Sequence, residues 1–263
     1  MTILDQIIAN KKLEVARAKE KHSITQLAQS AFYERSCLSL ATRLKSPGTQ
    51  IITEYKRKSP SKGEINMGAG IQETSTAYAQ AGAVGLSILT DTVYFGGFAE
   101  DLQIARQHIS ETPLLRKDFI IDAYQLHQAK AWGADVILLI AANLNASEVT
   151  ELSKTAHELG LEVLLEVHEL EEIQKCDYSH VDIIGVNNRN LKNFAENNVD
   201  ASLELFEHLP QGLAKISESC IHDPLTVKQL QTAGYDGFLI GESFMKTTNP
   251  GAAFAQFLKA CNE

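Results

Sequence analysis

From residue 50 onward the chain alternates short apolar runs with longer, punctuated stretches. The runs at 50–55, 84–89, 113–117, 135–140, 161–166, 182–187, 212–217 and 237–240 are predicted strands. They recur at the spacing of alternating strand and helix units. Most are apolar throughout, as expected of parallel strands covered on both faces. Helix starts fall between them. Asp122 stands as an N-cap, and Asn145-Ala146-Ser147-Glu148 has the form of a capping box. Asp223-Pro224 and Asn249-Pro250 each set a capping side chain before a proline at the first helical position.

The first 48 residues follow a different pattern. Residues 2–20 predict an amphipathic helix, with Ile3, Ile7, Ile8 and Val15 near one face and Lys11, Lys12, Glu14 and Lys19 mostly elsewhere. A second helical stretch is expected around 24–44, and the pattern changes after Pro47-Gly48. The gap at about 57–71 predicts a mobile loop. Eight strands, each followed by a helix, predict an α/β fold, a closed (β/α)₈ TIM barrel. The expected organisation is one barrel domain over 1–263, with 1–48 as an N-terminal helical extension. An open doubly wound sheet is the alternative. It would need a Gly-rich turn after the first strand, and Gly68-Ala69-Gly70 neither follows a strand nor supplies the third glycine.

Composition narrows the function. The 263 residues are 44% hydrophobic and carry a formal charge of −9. Nucleic-acid binding needs a basic footprint, so it is excluded as an expectation. Any anion site must be a local basic pocket. Cys37, Cys176, Cys220 and Cys261 form no C-x-x-C pair and read as reduced thiols of a cytoplasmic protein. The opening MTILDQIIANKK holds Asp5 inside its apolar stretch and lacks a signal-peptide core. The longest apolar run, Val136 to Ala142, is too short to cross a bilayer, so no membrane partner is expected.

Candidate chemistry gathers at the predicted strand ends. Glu54 and Lys56 are two apart on a strand and share a face. Other strands end in Arg116-Lys117-Asp118-Phe119, Glu166-Val167-His168, Asn187-Asn188-Arg189-Asn190, Glu218-Ser219 and Gly241-Glu242-Ser243. Each alone reads as a solvated charge or a turn residue. Barrel closure would bring them all to one rim, a constellation suited to acid–base chemistry on an anionic substrate. The turns at Ser219-Cys220 and Gly241-Glu242-Ser243 lie where barrels often bind phosphate through backbone N–H groups. There the Glu242 carboxylate is expected to turn away, because it would repel the anion. Glu166 and His168 could both reach an ion, but no third spaced ligand accompanies them, so no metal is expected. No G-x-S-x-G elbow appears, and no His is paired in the motif with Cys220.

Taken together, ILDQIIANKKLEVARAKE, EYKRKSPSKGEI, LTDTVYFGGFAEDL, PLLRKDFIIDAYQ, LLEVHELEEI, IIGVNNRNL, ISES and FLIGESFM resemble the indole-3-glycerol phosphate synthase family over nearly the whole chain. The resemblance implies a lyase of tryptophan biosynthesis that uses no cofactor. It would close the indole ring of 1-(2-carboxyphenylamino)-1-deoxyribulose 5-phosphate with loss of carbon dioxide and water. It implies Lys117 as general acid and Lys56 as partner of the substrate carboxylate. Glu166 and Glu54 would serve the dehydration steps. Asn187 and Glu218 would hold the sugar hydroxyls, with Arg189 in support. Ser59, Ser219, Cys220, Gly241, Glu242 and Ser243 would grip phosphate, and Phe95 and Phe119 would pack on the aromatic ring. Clustered cations are expected to lower the Lys117 pKa. Cys220 stands where the family usually has glycine, at a cost if the backbone there needs positive φ. Apart from the phosphorylated small molecule no partner is expected, and the assembly would be a monomer or weak homodimer. Another phosphate-binding barrel enzyme, such as a sugar-phosphate isomerase, and a non-catalytic relative are the alternatives.

Overall fold

The computed structural model describes residues 2–189 and 198–263. Eight parallel strands close into a barrel: β1 (Ile51–Tyr55), β2 (Gly85–Leu89), β3 (Leu114–Lys117), β4 (Val136–Ile140), β5 (Glu162–Val167), β6 (Ile183–Asn187), β7 (Ala214–Glu218) and β8 (Gly237–Ile240). Each pairs with its sequence neighbours, and β1 closes on β8 through Ile51–Phe238, Ile52–Leu239 and Thr53–Ile240. The expected strands are found to within two residues at either end. The expected caps hold too. Asp122 accepts from Tyr124 N–H, Asn145 forms a capping box with Glu148, and Pro224 and Pro250 open their helices.

Two layers of apolar side chains explain the uninterrupted strand runs. Ile52, Leu115, Leu138, Leu164, Ile216 and Leu239 pack inside the barrel, while Leu86, Ile137, Leu165, Ile184 and Phe238 face the surrounding helices. Fully burying side chains of this size contributes roughly 1.5–3 kcal/mol each.

The first 48 residues run from one end of the barrel to the other. Helix α1 (Ile3–Lys21) lies across the C-terminal ends of the strands, where Ile3, Leu4 and Ile7 line a cavity. Tyr124 fastens its far end by donating from its hydroxyl to Ala18 O (3.0 Å) and His22 O (2.8 Å). Lys11 departs from the expected polar face. It is completely buried, contacting Asp118 (2.8 Å), Glu14 (2.9 Å) and Asp91 (3.0 Å).

The helix expected at 24–44 is instead two short pieces, Ile24–Leu27 and Leu40–Leu44. The strand starts take up the backbone N–H groups that a continuous helix would have used. Asp135 accepts from Leu38 N–H (2.8 Å), and Glu162 accepts from Leu40 N–H (2.8 Å) and Ala41 N–H (3.0 Å). Leu40 and Leu44 then plug the barrel floor. Any Cβ at Gly85 would lie 2.7 Å from Leu40, and one at Gly237 would lie 2.4 Å from Leu44.

The 57–71 segment carries more structure than the expected loop. Lys58–Ser59 pairs with Gly63–Glu64 as a small antiparallel hairpin. Arg57 anchors it with two hydrogen bonds to Asp101 (2.5 and 2.8 Å), and Tyr55 donates to Ala69 O at 2.6 Å. Among the described residues no helix is long and apolar enough to cross a membrane.

Candidate active site

The strand ends meet over a single cavity. Its void, open mouth included, is about 1240 Å³, and Glu54, Lys56, Lys117, Glu166, Asn187 and Glu218 all line it. The predicted contact residues Ser59, Phe95, Phe119, Arg189, Ser219, Cys220, Gly241, Glu242 and Ser243 border the same space. Asn190 lies outside the described residues.

At the centre Lys117 donates to Glu166 Oε2 (3.0 Å) and Glu218 Oε2 (2.5 Å). Three strands supply these groups: β3 gives the lysine, and β5 and β7 give the carboxylates. Lys56 donates to Glu54 Oε1 at 2.6 Å, the pair that strand alternation put on one face. The room for these side chains comes from glycines. A Cβ on Gly185 would lie 2.2 Å from Glu218 Oε1, and one on Gly241 would lie 2.7 Å from the Glu54 side chain.

The electrostatics overturn one expectation. Burial alone would lower the Lys117 pKa, but Glu166, Glu218 and Glu54 outweigh it and hold the pKa well above its ordinary value. Carboxylates, not cations, surround this lysine. Burial raises Glu166, yet Lys117, His168 and Asn187 hold it below the usual range. Glu54 is likewise raised by burial and brought down further by Lys56 and Lys117. Glu218 goes the other way. Burial pushes it up to about 7, with Lys117 opposing and Glu166 and Glu54 adding to the rise. Three carboxylates and two ammonium groups share this interior, so one proton on Glu218 makes the set neutral. Its buried Oε1 has no hydrogen-bond partner.

Apolar and phosphate-compatible walls flank the ionic centre. Phe95 and Phe119 stand 5.9 Å apart, tilted by 39°, beside Leu138, Ile140 and the first turns of α1. Across the mouth, Ser219 and Cys220 both have left-handed backbones, φ 68° and 60°. Cys220 therefore sits where glycine would be unstrained. Its thiol is pushed up by burial. The Ser243 hydroxyl donates to Ile221 O (3.0 Å) and contacts His222 Nδ1 (2.8 Å). The Glu242 carboxylate is taken up by two cations, Arg189 at 3.4 Å and Lys62 at 3.6 Å.

Sequence reasoning missed Ile3, Leu4, Ile7 and Lys62 as parts of this cavity or its rim, and placed His168 at the rim without a role in the reaction. The period of α1 could have pointed to Ile3 and Ile7. The signal for Lys62 was its place in the Ser-, Lys- and Gly-rich stretch after β1, a composition able to hold an anion, and it reaches the site from the hairpin turn. Among the described residues no group of three or more His, Cys, Asp or Glu is arranged to hold a metal ion.

Comparison with known proteins agrees with the fold. KGPDC from Streptococcus mutans superposes with a TM-score of 0.60 at 13% identity, covering 81% of this chain and 96% of that one. The tryptophan synthase complex from Pyrococcus furiosus gives 0.59 at 15% identity, covering 81% and 97%. Sequence relatives are far nearer. The indole-3-glycerol phosphate synthase of Bacteroides thetaiotaomicron is 50% identical over 258 residues, 98% of both chains. That of Salinibacter ruber is 43% identical over 257 residues, 97% of this chain and 95% of its own. The family model described as indole-3-glycerol phosphate synthase matches residues 4–257. The same stretch contains every strand of the barrel and every side chain of the ionic centre, and on that match the chain belongs to the indole-3-glycerol phosphate synthase family.

Proposed function

We propose that this chain is a carboxy-lyase that converts 1-(2-carboxyphenylamino)-1-deoxyribulose 5-phosphate to indole-3-glycerol phosphate, releasing carbon dioxide and water. Family membership supports the reaction. The single observation that carries the residue assignment is the buried Lys117–Glu166–Glu218 cluster inside a cavity with one aromatic wall.

Ring closure requires the aromatic carbon bearing the carboxylate to attack the ribulose ketone. Negative charge then develops on the ketone oxygen. Lys117, firmly protonated, stabilises that oxygen and donates its proton. Its raised pKa makes it a charge stabiliser before it is an acid. Transfer stays favourable because an alkoxide is a much stronger base than an amine. Lys56, just past the end of β1 and one strand removed from β3, pairs with the substrate carboxylate until carbon dioxide leaves. Phe95 and Phe119 hold the ring and keep water from it.

Dehydration needs a proton removed and a proton delivered to the departing hydroxyl. Glu54 and Glu166 are held ionised and serve as bases. Glu218, which titrates near neutrality, is suited to giving and taking a proton in one cycle. Asn187 and Arg189 steady the sugar. The phosphate end faces Ser59, the Ser219-Cys220 turn and Gly241 to Ser243, with Arg189 and Lys62 as nearby cations.

The test is direct. Purified protein mixed with the carboxyphenylamino sugar phosphate should generate indole fluorescence. Lys117→Ala should lose at least about two orders of magnitude in turnover, the low end for a removed general acid. Near-normal turnover in that variant would remove Lys117 from the mechanism.

A further inference from the structure

One titratable side chain in the cavity wall has no part in the chemistry above. His168 follows β5, lines the cavity and keeps only about a tenth of its side chain exposed, with 10% relative accessibility. Its Nε2 lies 3.5 Å from Glu166 Oε1, an ion-pair contact without a hydrogen bond, since neither ring nitrogen has a hydrogen-bond partner. Glu166 Oε2 is the atom that binds Lys117. The two oxygens of one carboxylate are thus divided between a lysine and an imidazole. Behind the ring, Glu172 Oε2 lies 3.6 Å from Nδ1 and also accepts the backbone N–H of His168 at 2.6 Å. Glu172 is in turn held ionised: burial raises it, and His168 and Lys175 bring it down. The result is a continuous line of alternating charge, Lys117, Glu166, His168 and Glu172, running from the reacting centre into the barrel wall.

We propose that His168 is a positioning residue for the ring-closing reaction: it holds Glu166 by its outer oxygen, so that the inner oxygen stays on Lys117 while substrate enters and leaves. This rests on the activity proposed above. The geometry gives the reason. A glutamate whose outer oxygen faces no cation can rotate about its last bond and release the lysine, whereas one whose outer oxygen faces an imidazolium at 3.5 Å gives up an ion pair when it does. The imidazole also carries the right charge. Burial lowers its pKa, but Glu172, Glu166 and Glu218 more than offset that and raise it above the ordinary histidine value. The charged groups facing it are Glu166 on its own strand, Glu172 on the following helix and Glu218 on β7, with Lys117 of β3 beyond Glu166. Three carboxylates against one lysine favour the imidazolium.

The proposal separates two kinds of effect. Loss of a merely structural histidine would lower the melting temperature and leave the pH profile in place. Loss of a positioning imidazolium should change turnover and its pH dependence, because the cation helps keep Glu166 ionised. The experiment measures kcat and KM from pH 5 to 9 by indole fluorescence for wild type, His168→Asn, His168→Gln and Glu172→Gln. Wild-type turnover tests the activity itself, and its absence would count against that reading and not against His168. Given wild-type turnover, both His168 variants should lose about tenfold in kcat, equal to about 1.4 kcal/mol of barrier. KM should change less than twofold. Their acid limb should move to higher pH, as Glu166 loses a cation that lowered its pKa. Glu172→Gln should keep kcat near its maximum but move the alkaline limb to lower pH, since His168 then loses a proton-retaining neighbour. Unchanged kcat in both His168 variants would overturn the proposal. So would a reduced kcat with both limbs where wild type has them, or a loss expressed only in KM.

Discussion

Replacing Lys11 with methionine removes a charge that the fold buries completely. Methionine matches the lysine stem in length and fills the space without an ammonium. The ammonium contacts Asp91 and Asp118, which are themselves 0% and 1% exposed. Asp118 is also bound by Arg116 (2.8 Å) and accepts from the Thr90 hydroxyl (2.7 Å). Two buried aspartates and two buried cations therefore form a nearly neutral group, with Glu14 at its outer edge. Without Lys11 one negative charge is left uncompensated inside the protein. Removing one partner from such a group costs about 3–5 kcal/mol. The loss should depend on pH. Burial raises Asp118, but Lys11 and then Arg116 overcome it and hold the carboxyl far below its ordinary 3.8. A depressed carboxyl contributes stability above its unfolded pKa and loses it as pH falls through the folded value. The variant lacks the Lys11 share of that stabilisation, so its deficit against wild type should be full at pH 7 and shrink as pH falls below about 3.8, the ordinary carboxyl value. Urea unfolding measures this, followed by circular dichroism and by the single tryptophan, Trp132, whose ring lies 4.2 Å from the Arg116 guanidinium. A deficit below about 1 kcal/mol at pH 7, or one that does not shrink as pH falls below about 3.8, would refute the charge-balance reasoning.

Cys220→Gly should raise stability by about 1 kcal/mol, since a side chain in the left-handed region at φ 60° is strained, and a thermal melt should move up by about 2–4 °C. The KM of that variant should fall or stay unchanged, and a marked loss of activity would reveal a role for the thiol. Glu218 gives a second pH effect with the opposite sign to Asp118. Its folded pKa of about 7 exceeds the ordinary 4.5, so its contribution to stability is full below about 4.5 and is lost as pH rises through about 7. Glu218→Gln should flatten the fall in unfolding free energy between pH 5 and 8, and an unaltered slope would remove Glu218 as its source.

The barrel was legible because its strands are apolar runs bounded by caps and turn residues, and because β-strand alternation put Glu54 and Lys56 on one face. The gathering of Lys117, Glu166 and Glu218 followed from closure alone: side chains at strand ends must meet if the sheet has no edge. Lys11 was not legible. Its burial depends on aspartates 80 and 107 positions away, and a lysine on α1 looks the same in sequence whether its partner is water or Asp118. The 28–39 stretch was misread as helix because acceptors that fix its end, Asp135 for the Leu38 N–H and Glu162 for the Ser39 hydroxyl, lie at strand starts far along the chain. The direction of the Lys117 shift was misjudged for a related reason. Motifs reveal which charges share a rim but not which lie within 3 Å.

Gly185 and Gly241 give this centre an unusual kind of dependence. Neither has a functional group, yet even a methyl group at either place would collide with Glu218 or Glu54. What the reaction asks of these two positions is emptiness. A mutational survey scored on turnover should therefore find them as intolerant as the lysines themselves, while a search for reactive chemistry would pass over both.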